Sequence, residues 1–145
     1  TVTLTAPDGT QIYSDAPSVR GMSFVIESYG IYRLSFYAED RAGRMKLDSF
    51  TISAEDLIAP TVTLASYETL TGKVGKSVKL PEVTVLDNYD AAPKLSVFAV
   101  DQAGPYSLIE GGNFTPETKG RYTIRFYAYD ANYNVAITDI VCNVE

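Results

Sequence analysis

Three stretches carry residue types that could do chemistry. Gly72-Lys-Val-Gly-Lys-Ser77 has the Gly-Lys-Ser ending of a phosphate-binding loop, whose backbone N–H groups cradle phosphate between a strand and a helix. That pattern needs glycine at position 70, which is Leu70, and Ser77 onward reads as a strand, so nucleotide binding is not expected. Asp87-Asn-Tyr-Asp90, near Asp101, offers the loop carboxylates and carbonyls that calcium favours, and Asp40 and Asp130 end their strands at a comparable loop. Their spacing fits no defined calcium loop, and Asp and Asn are also the commonest turn formers. Asp87, Asp90 and Asp101 are therefore expected to make turns, with no metal. The third group is aromatic. Tyr37, Tyr127 and Tyr129 are expected on the outward face of strands, with Tyr89, Tyr106 and Tyr133 in loops. Exposed aromatics stack on sugar rings or anchor a protein partner. The same residues also stabilise a sheet through cross-strand pairs, or cover a neighbouring module.

Other chemistry is excluded by what the 145 residues lack. There is no histidine, so Ser-His-Asp and Cys-His catalysis and imidazole metal sites are ruled out in their ordinary forms. Paired carboxylates remain for glycoside hydrolysis, but the acids are scattered among turns and strand ends, as on a solvated surface. Neither an enzyme nor a cofactor is expected. A net charge of −6 provides no basic patch for nucleic acid or anionic lipid. No apolar run approaches the roughly 20 residues of a membrane-spanning helix. The single cysteine, Cys142, has no internal disulfide partner and no histidine to activate it, which leaves packing as its role.

The elements that must position these residues are strands. Eleven Tyr and six Phe without Trp, with abundant Val, Ile and Thr, favour strand over helix. One stretch occurs twice, ninety positions apart: Gly30-Ile-Tyr-Arg-Leu-Ser-Phe-Tyr-Ala-Glu-Asp40 and Gly120-Arg-Tyr-Thr-Ile-Arg-Phe-Tyr-Ala-Tyr-Asp130. Tyr32, Leu34, Phe36 and Ala38, like Tyr122, Ile124, Phe126 and Ala128, fall at period two and share the buried face of a strand. Upstream, Gly21, Phe24 and Glu27 stand at the same offset from Gly111, Phe114 and Glu117. A period near ninety is too long for a solenoid unit and suits a tandem pair of small β-sandwiches. Domains are expected over residues 1–56 and 60–145, joined by a linker ending in Ala59-Pro60.

Within this frame, Thr1–Thr5 and Gln11–Tyr13 read as a hairpin, Met22–Glu27 as a short strand, and 61–65, 77–80, 83–86 and 95–100 as further strands. Met45 and Leu47 are expected to point inward, out of phase with Phe50 and Ile52, and Val135 and Ile137 likewise against Ile140, Cys142 and Val144. Such a switch predicts a β-bulge near Asp48-Ser49 and Thr138-Asp139. Setting Thr5-Ala-Pro-Asp8 against Phe98-Ala-Val-Asp101 leaves the first repeat without a counterpart of residues 60–93. A sandwich lacking those strands exposes an apolar face and an unpaired edge. Either upstream sequence or another chain supplies them, or the first repeat is a smaller variant. The first is expected, because the chain opens at Thr1 with neither an initiator Met nor a signal peptide.

With the strands placed, Gly30-Ile-Tyr32 and Gly120-Arg-Tyr122 resemble the tyrosine corner of immunoglobulin-like sandwiches, with Leu34 and Ile124 where antibody domains carry Cys. The fuller pattern includes Ala59-Pro-Thr-Val-Thr-Leu64, Val74-Gly-Lys-Ser-Val-Lys-Leu-Pro81 and Val85-Leu-Asp-Asn88. It resembles the bacterial immunoglobulin-like and hyalin-repeat-like modules of secreted and cell-surface proteins, over all of 60–145 and part of 1–56. Tyr133 departs from it, standing where the first repeat has Gly43. The resemblance implies an all-β fold of two tandem immunoglobulin-like sandwiches, the first lacking its N-terminal strands, in an extracellular or cell-surface setting. Such modules serve as spacers, stalks and binding domains alike. The expected function is a non-catalytic spacer that positions flanking domains of the same polypeptide. The alternative is a carbohydrate- or host-protein-binding module using Tyr37, Tyr127, Tyr129 and Tyr133.

Overall fold

Residues that alternate in the sequence pair into ladders. The computed structural model describes residues 1–17, 20–102, 104 and 106–145. Among these every regular element is a β-strand, and no helix is long and apolar enough to cross a membrane. By its internal contacts the chain divides into two compact units, Thr1–Asp56 and Leu57–Glu145.

The first unit is one antiparallel sheet built from β1 (Val2–Thr5), β2 (Gln11–Ala16), β3 (Gly30–Glu39) and β4 (Met45–Ala54), in the order β2-β1-β3-β4. Its core lies at one end of that sheet. Leu4, Tyr32 and Ala54 are buried there, with Ala6, Tyr13, Phe24, Tyr29 and Leu34 packed against them.

The second unit holds β5 (Thr61–Leu64), β6 (Leu70–Gly72), β7 (Val78–Lys79), β8 (Val83–Leu86), β9 (Lys94–Asp101), β10 (Tyr106–Ile109), β11 (Asn113–Phe114), β12 (Gly120–Tyr129) and β13 (Val135–Val144). Five strands make a sheet in the order β10-β9-β12-β13-β6, antiparallel except where β6 runs parallel to β13. Two small pairs, β5 with β8 and β7 with β11, complete the unit. Leu64, Val78 and Phe114 from these pairs pack with Ile124, Phe126, Ile140 and Cys142 of the large sheet in one core, a sandwich-like arrangement of layers. Truncating a fully buried ring such as Phe126 to alanine costs roughly 3–5 kcal/mol.

Both copies of the key strand begin the same way. Gly30 and Gly120 have φ of 129° and 142°, a conformation L side chains rarely adopt. A Cβ on Gly30 would also lie 2.8 Å from Pro7 Cβ. Two residues on, the Tyr32 hydroxyl donates to the Ser28 carbonyl at 2.9 Å, and Tyr122 does the same to Thr118 at 3.0 Å. Phe24 and Phe114 pack on these tyrosines at ring distances of 5.3 and 5.0 Å.

Four expectations are corrected. No bulge interrupts either hairpin: β3 and β4 pair without a break from Gly30↔Ala54 to Glu39↔Met45, and β12 and β13 from Gly120↔Val144 to Tyr129↔Val135. The phase switch is instead met by turning Met45, Leu47, Val135 and Ile137 outward, where all four are exposed. The inward positions at that end are Lys46, Asp48, Ala136 and Thr138. Thr5 pairs with Arg33 and Val100 with Thr123, so Thr5 corresponds to Val100 rather than Phe98; the two-residue offset preserves the face. Met22–Glu27 forms no strand, whereas its counterpart Asn113–Phe114 does, because only the latter has a partner in β7. β6 and β10 were not anticipated, and β10 places Tyr106 in a strand rather than a loop.

Candidate functional site

The outward face of β12 carries the aromatic residues. Tyr127 and Tyr129, two apart on a strand, must share a face, and their rings lie 6.0 Å apart at 54°. Tyr133, from the loop to β13, stacks nearly parallel on Tyr129 at 6.3 Å and 5°. Directly across the ladder, Tyr127 faces Ile137 and Tyr129 faces Val135. On the other side stand Ser96 and Lys94 of β9. The result is a contiguous patch of three tyrosines and two exposed aliphatics beside an ammonium and a hydroxyl. Tyr127 and Tyr129 are half-buried, whereas Tyr133 is 80% exposed and offers the most accessible ring of the three.

The loop that presents Tyr133 is held by Asp130. One carboxylate oxygen accepts the backbone N–H groups of Asn132 and Asn134, both at 2.8 Å; the other accepts the Asn134 side-chain amide at 2.7 Å. Burial pushes the Asp130 pKa up, but the bonds from the Asn134 side chain and backbone and from Asn132 outweigh it, so the net direction is down. Tyr133 itself has φ 64°, in the left-handed region where Gly43 of the first unit sits at 77°. A non-glycine residue held there stores of order 1 kcal/mol of strain.

Of the four tyrosines proposed from sequence, the structure brings Tyr127, Tyr129 and Tyr133 together. Tyr37 belongs to the first unit, where its hydroxyl donates to Glu39 at 2.8 Å, a bond that raises its pKa. Val135 and Ile137 were missed as members of the patch, because the phase argument had turned them inward. Their only signal was that phase conflict. Phe98 and Tyr106 form a separate edge-to-face pair at 6.3 Å, and Tyr89 is exposed in its loop.

The acidic candidates make turns. Asp87 accepts the N–H groups of Tyr89 and Asp90 at 3.0 and 2.8 Å, and Asp90 accepts that of Ala92 at 2.8 Å. Asp101 accepts the Gly104 N–H on its backbone carbonyl. Within the second unit, the described carboxylate that lies within 4.8 Å of Asp87 is that of Asp130, rather than Asp90 or Asp101. Asp87 Oδ2 is buried without a hydrogen-bond partner. A hard cation in this unit would find its oxygen ligands at Asp87 and Asp130, although the Asp130 oxygens already secure the loop. Elsewhere Asp101, Glu110 and Glu117 line a hollow of about 490 Å³. Both glutamates are exposed. Cys142 is fully buried, and burial pushes its thiol pKa up.

No family model matches the chain, and no curated protein matches it.

Proposed function

We propose that the chain is a pair of immunoglobulin-like modules from a larger bacterial extracellular protein, acting without catalysis as a spacer that positions other domains. The observation that carries this reading is the repetition itself. The β3–β4 and β12–β13 hairpins keep the same register ninety positions apart, each opened by a glycine and a tyrosine bonded four residues back. A scaffold repeated in series with its turns preserved is what length and separation require. In the second unit, the sheet order β10-β9-β12-β13-β6 with its parallel β6–β13 pair supports an immunoglobulin-like topology.

A second reading, ligand binding, is favoured by one observation: the contiguous patch of Tyr127, Tyr129 and Tyr133, with the last ring mostly exposed. Aromatic faces of this kind take sugar rings or the apolar anchors of a partner protein. A glycan-array and cell-surface binding screen, run on the chain and on a Tyr127→Ala/Tyr129→Ala double variant and a Tyr133→Ala variant, separates the two. Binding that these variants lose overturns the pure spacer reading. Silence across the screen leaves the spacer reading standing.

A further inference from the structure

The first unit leaves open a sheet face whose counterpart in the second unit is covered by that unit's own strands. Phe50 and Ile52 of β4 are 60% and 37% exposed, whereas Ile140 and Cys142, at the same register positions, are 4% and 0% exposed. Over Val2, Phe36, Asp48 and Phe50 lies a hollow of about 740 Å³. The strand edge is open as well. β4 ends its sheet, while β13 is flanked by β6 through Cys142↔Leu70 and Val144↔Gly72. A third feature agrees: Ser23–Phe24 forms no strand, whereas Asn113–Phe114 is paired with β7. Face, edge and orphan segment are the three surfaces that residues 57–95 occupy in the second unit, through Leu64, Val78 and Leu80 against the face, β6 along the edge and β7 on β11.

We propose that the open face of the first unit's sheet accepts a strand layer of the same chemistry as residues 57–95, supplied by the same polypeptide on the amino-terminal side of β1. The occupant is thus an apolar β-segment carrying aliphatic residues where Leu64, Val78 and Leu80 stand, with one short strand running parallel to Ile52–Ala54. What covers the face is read from the interface that the second copy of this strand makes internally. The connection is also fitted in length. Val2 pairs with Phe36 as Val97 pairs with Phe126, so a copy of residues 57–95 joined directly to Thr1 enters β1 in register.

The test is that graft on the full chain, compared with the unaltered chain and with a graft carrying Leu64→Asp and Leu80→Asp in the added copy. The measurements are binding of a hydrophobic dye, molecular mass in solution, and amide exchange. The graft is expected to stay monomeric, to lose most of the dye binding of the first unit, and to slow exchange across Ile52–Ala54 by about tenfold or more. The doubly substituted graft should do neither. A graft that leaves dye binding and exchange unchanged overturns the proposal. So does an unaltered chain that already dimerises with the Phe50 face protected, since the occupant would then be a second copy. A ligand found or missed at Tyr133 leaves these outcomes unaffected.

Discussion

Arg125 and Asp139 face one another directly across β12 and β13, with the guanidinium Nε and Nη2 2.9 and 2.7 Å from the two carboxylate oxygens. The same guanidinium donates through Nη1 to the Tyr106 hydroxyl at 3.3 Å, and the Asp139 contact raises its pKa. Both side chains are about one-third exposed, so solvent screens the pair. Asp139→Ala is expected to cost about 0.5–1 kcal/mol, with less effect in high salt. A double-mutant cycle with Arg125→Ala, run at two salt concentrations, measures the coupling. A coupling unchanged by salt would contradict the screened geometry.

Tyr122 has a buried ring, and its hydroxyl bonds both the Thr118 carbonyl and the Thr118 hydroxyl. Tyr122→Phe keeps the ring and leaves those bonds unmade, a loss of about 1 kcal/mol, or roughly 5 °C in Tm for a unit of this size. Tyr122→Ala also leaves a cavity beside Phe114 and should cost about 3–5 kcal/mol. Chemical denaturation of the two variants checks the ordering.

The Tyr133 backbone separates strain from ring contact. Tyr133→Gly and Tyr133→Ala both lose the stack on Tyr129, but only glycine accepts φ 64° without strain. The glycine variant should be the more stable by about 1 kcal/mol. The mirror substitution, Gly43→Ala, should cost the first unit a similar amount, because Gly43 sits at φ 77° with open space around it. Equal stabilities for the two Tyr133 variants would refute the left-handed geometry.

Asp130 makes stability fall in acid. Its folded pKa lies below that of an unfolded aspartate, about 3.9. The stabilisation is therefore fully present above about pH 4 and is lost as pH falls through the folded value. Asp40 acts in the same sense in the first unit, lowered by the Arg44 backbone N–H and then its side chain. Asp130→Asn should flatten the acid limb of the second unit's stability curve below pH 4; a limb of unchanged steepness would show that the loop bonds do not favour the ionised form.

Cys142 reports on the second unit alone. Fully buried and with its thiol pKa raised by burial, it should resist a disulfide reagent at pH 8 in the native state and react once the second unit unfolds. Labelling across a denaturant series should track the loss of the Ile124–Phe126–Ile140 core. Rapid labelling without denaturant would place the thiol at the surface.

Much of this was legible in order along the chain. Period-two spacing over 30–40 and 120–130, the doubled Gly-x-Tyr and the turn residues between them determined which segments are strands and that the hairpins repeat, because pleat alternation and turn geometry are local. The departure at Tyr133 was visible as a missing glycine. Which surfaces meet depends on contacts between segments distant in the sequence. Alternation tells which residues share a face and not which face is covered, so Val135 and Ile137 moved from the core to the tyrosine patch, and the bulges gave way to straight strands. Asp130, rather than Asp90 or Asp101, came beside Asp87 because two separate strand ends converge there. Ser23–Phe24 and Asn113–Phe114 differ in state for a related reason: a short strand exists only where a distant partner accepts its hydrogen bonds, and β7 stands beside one of them alone.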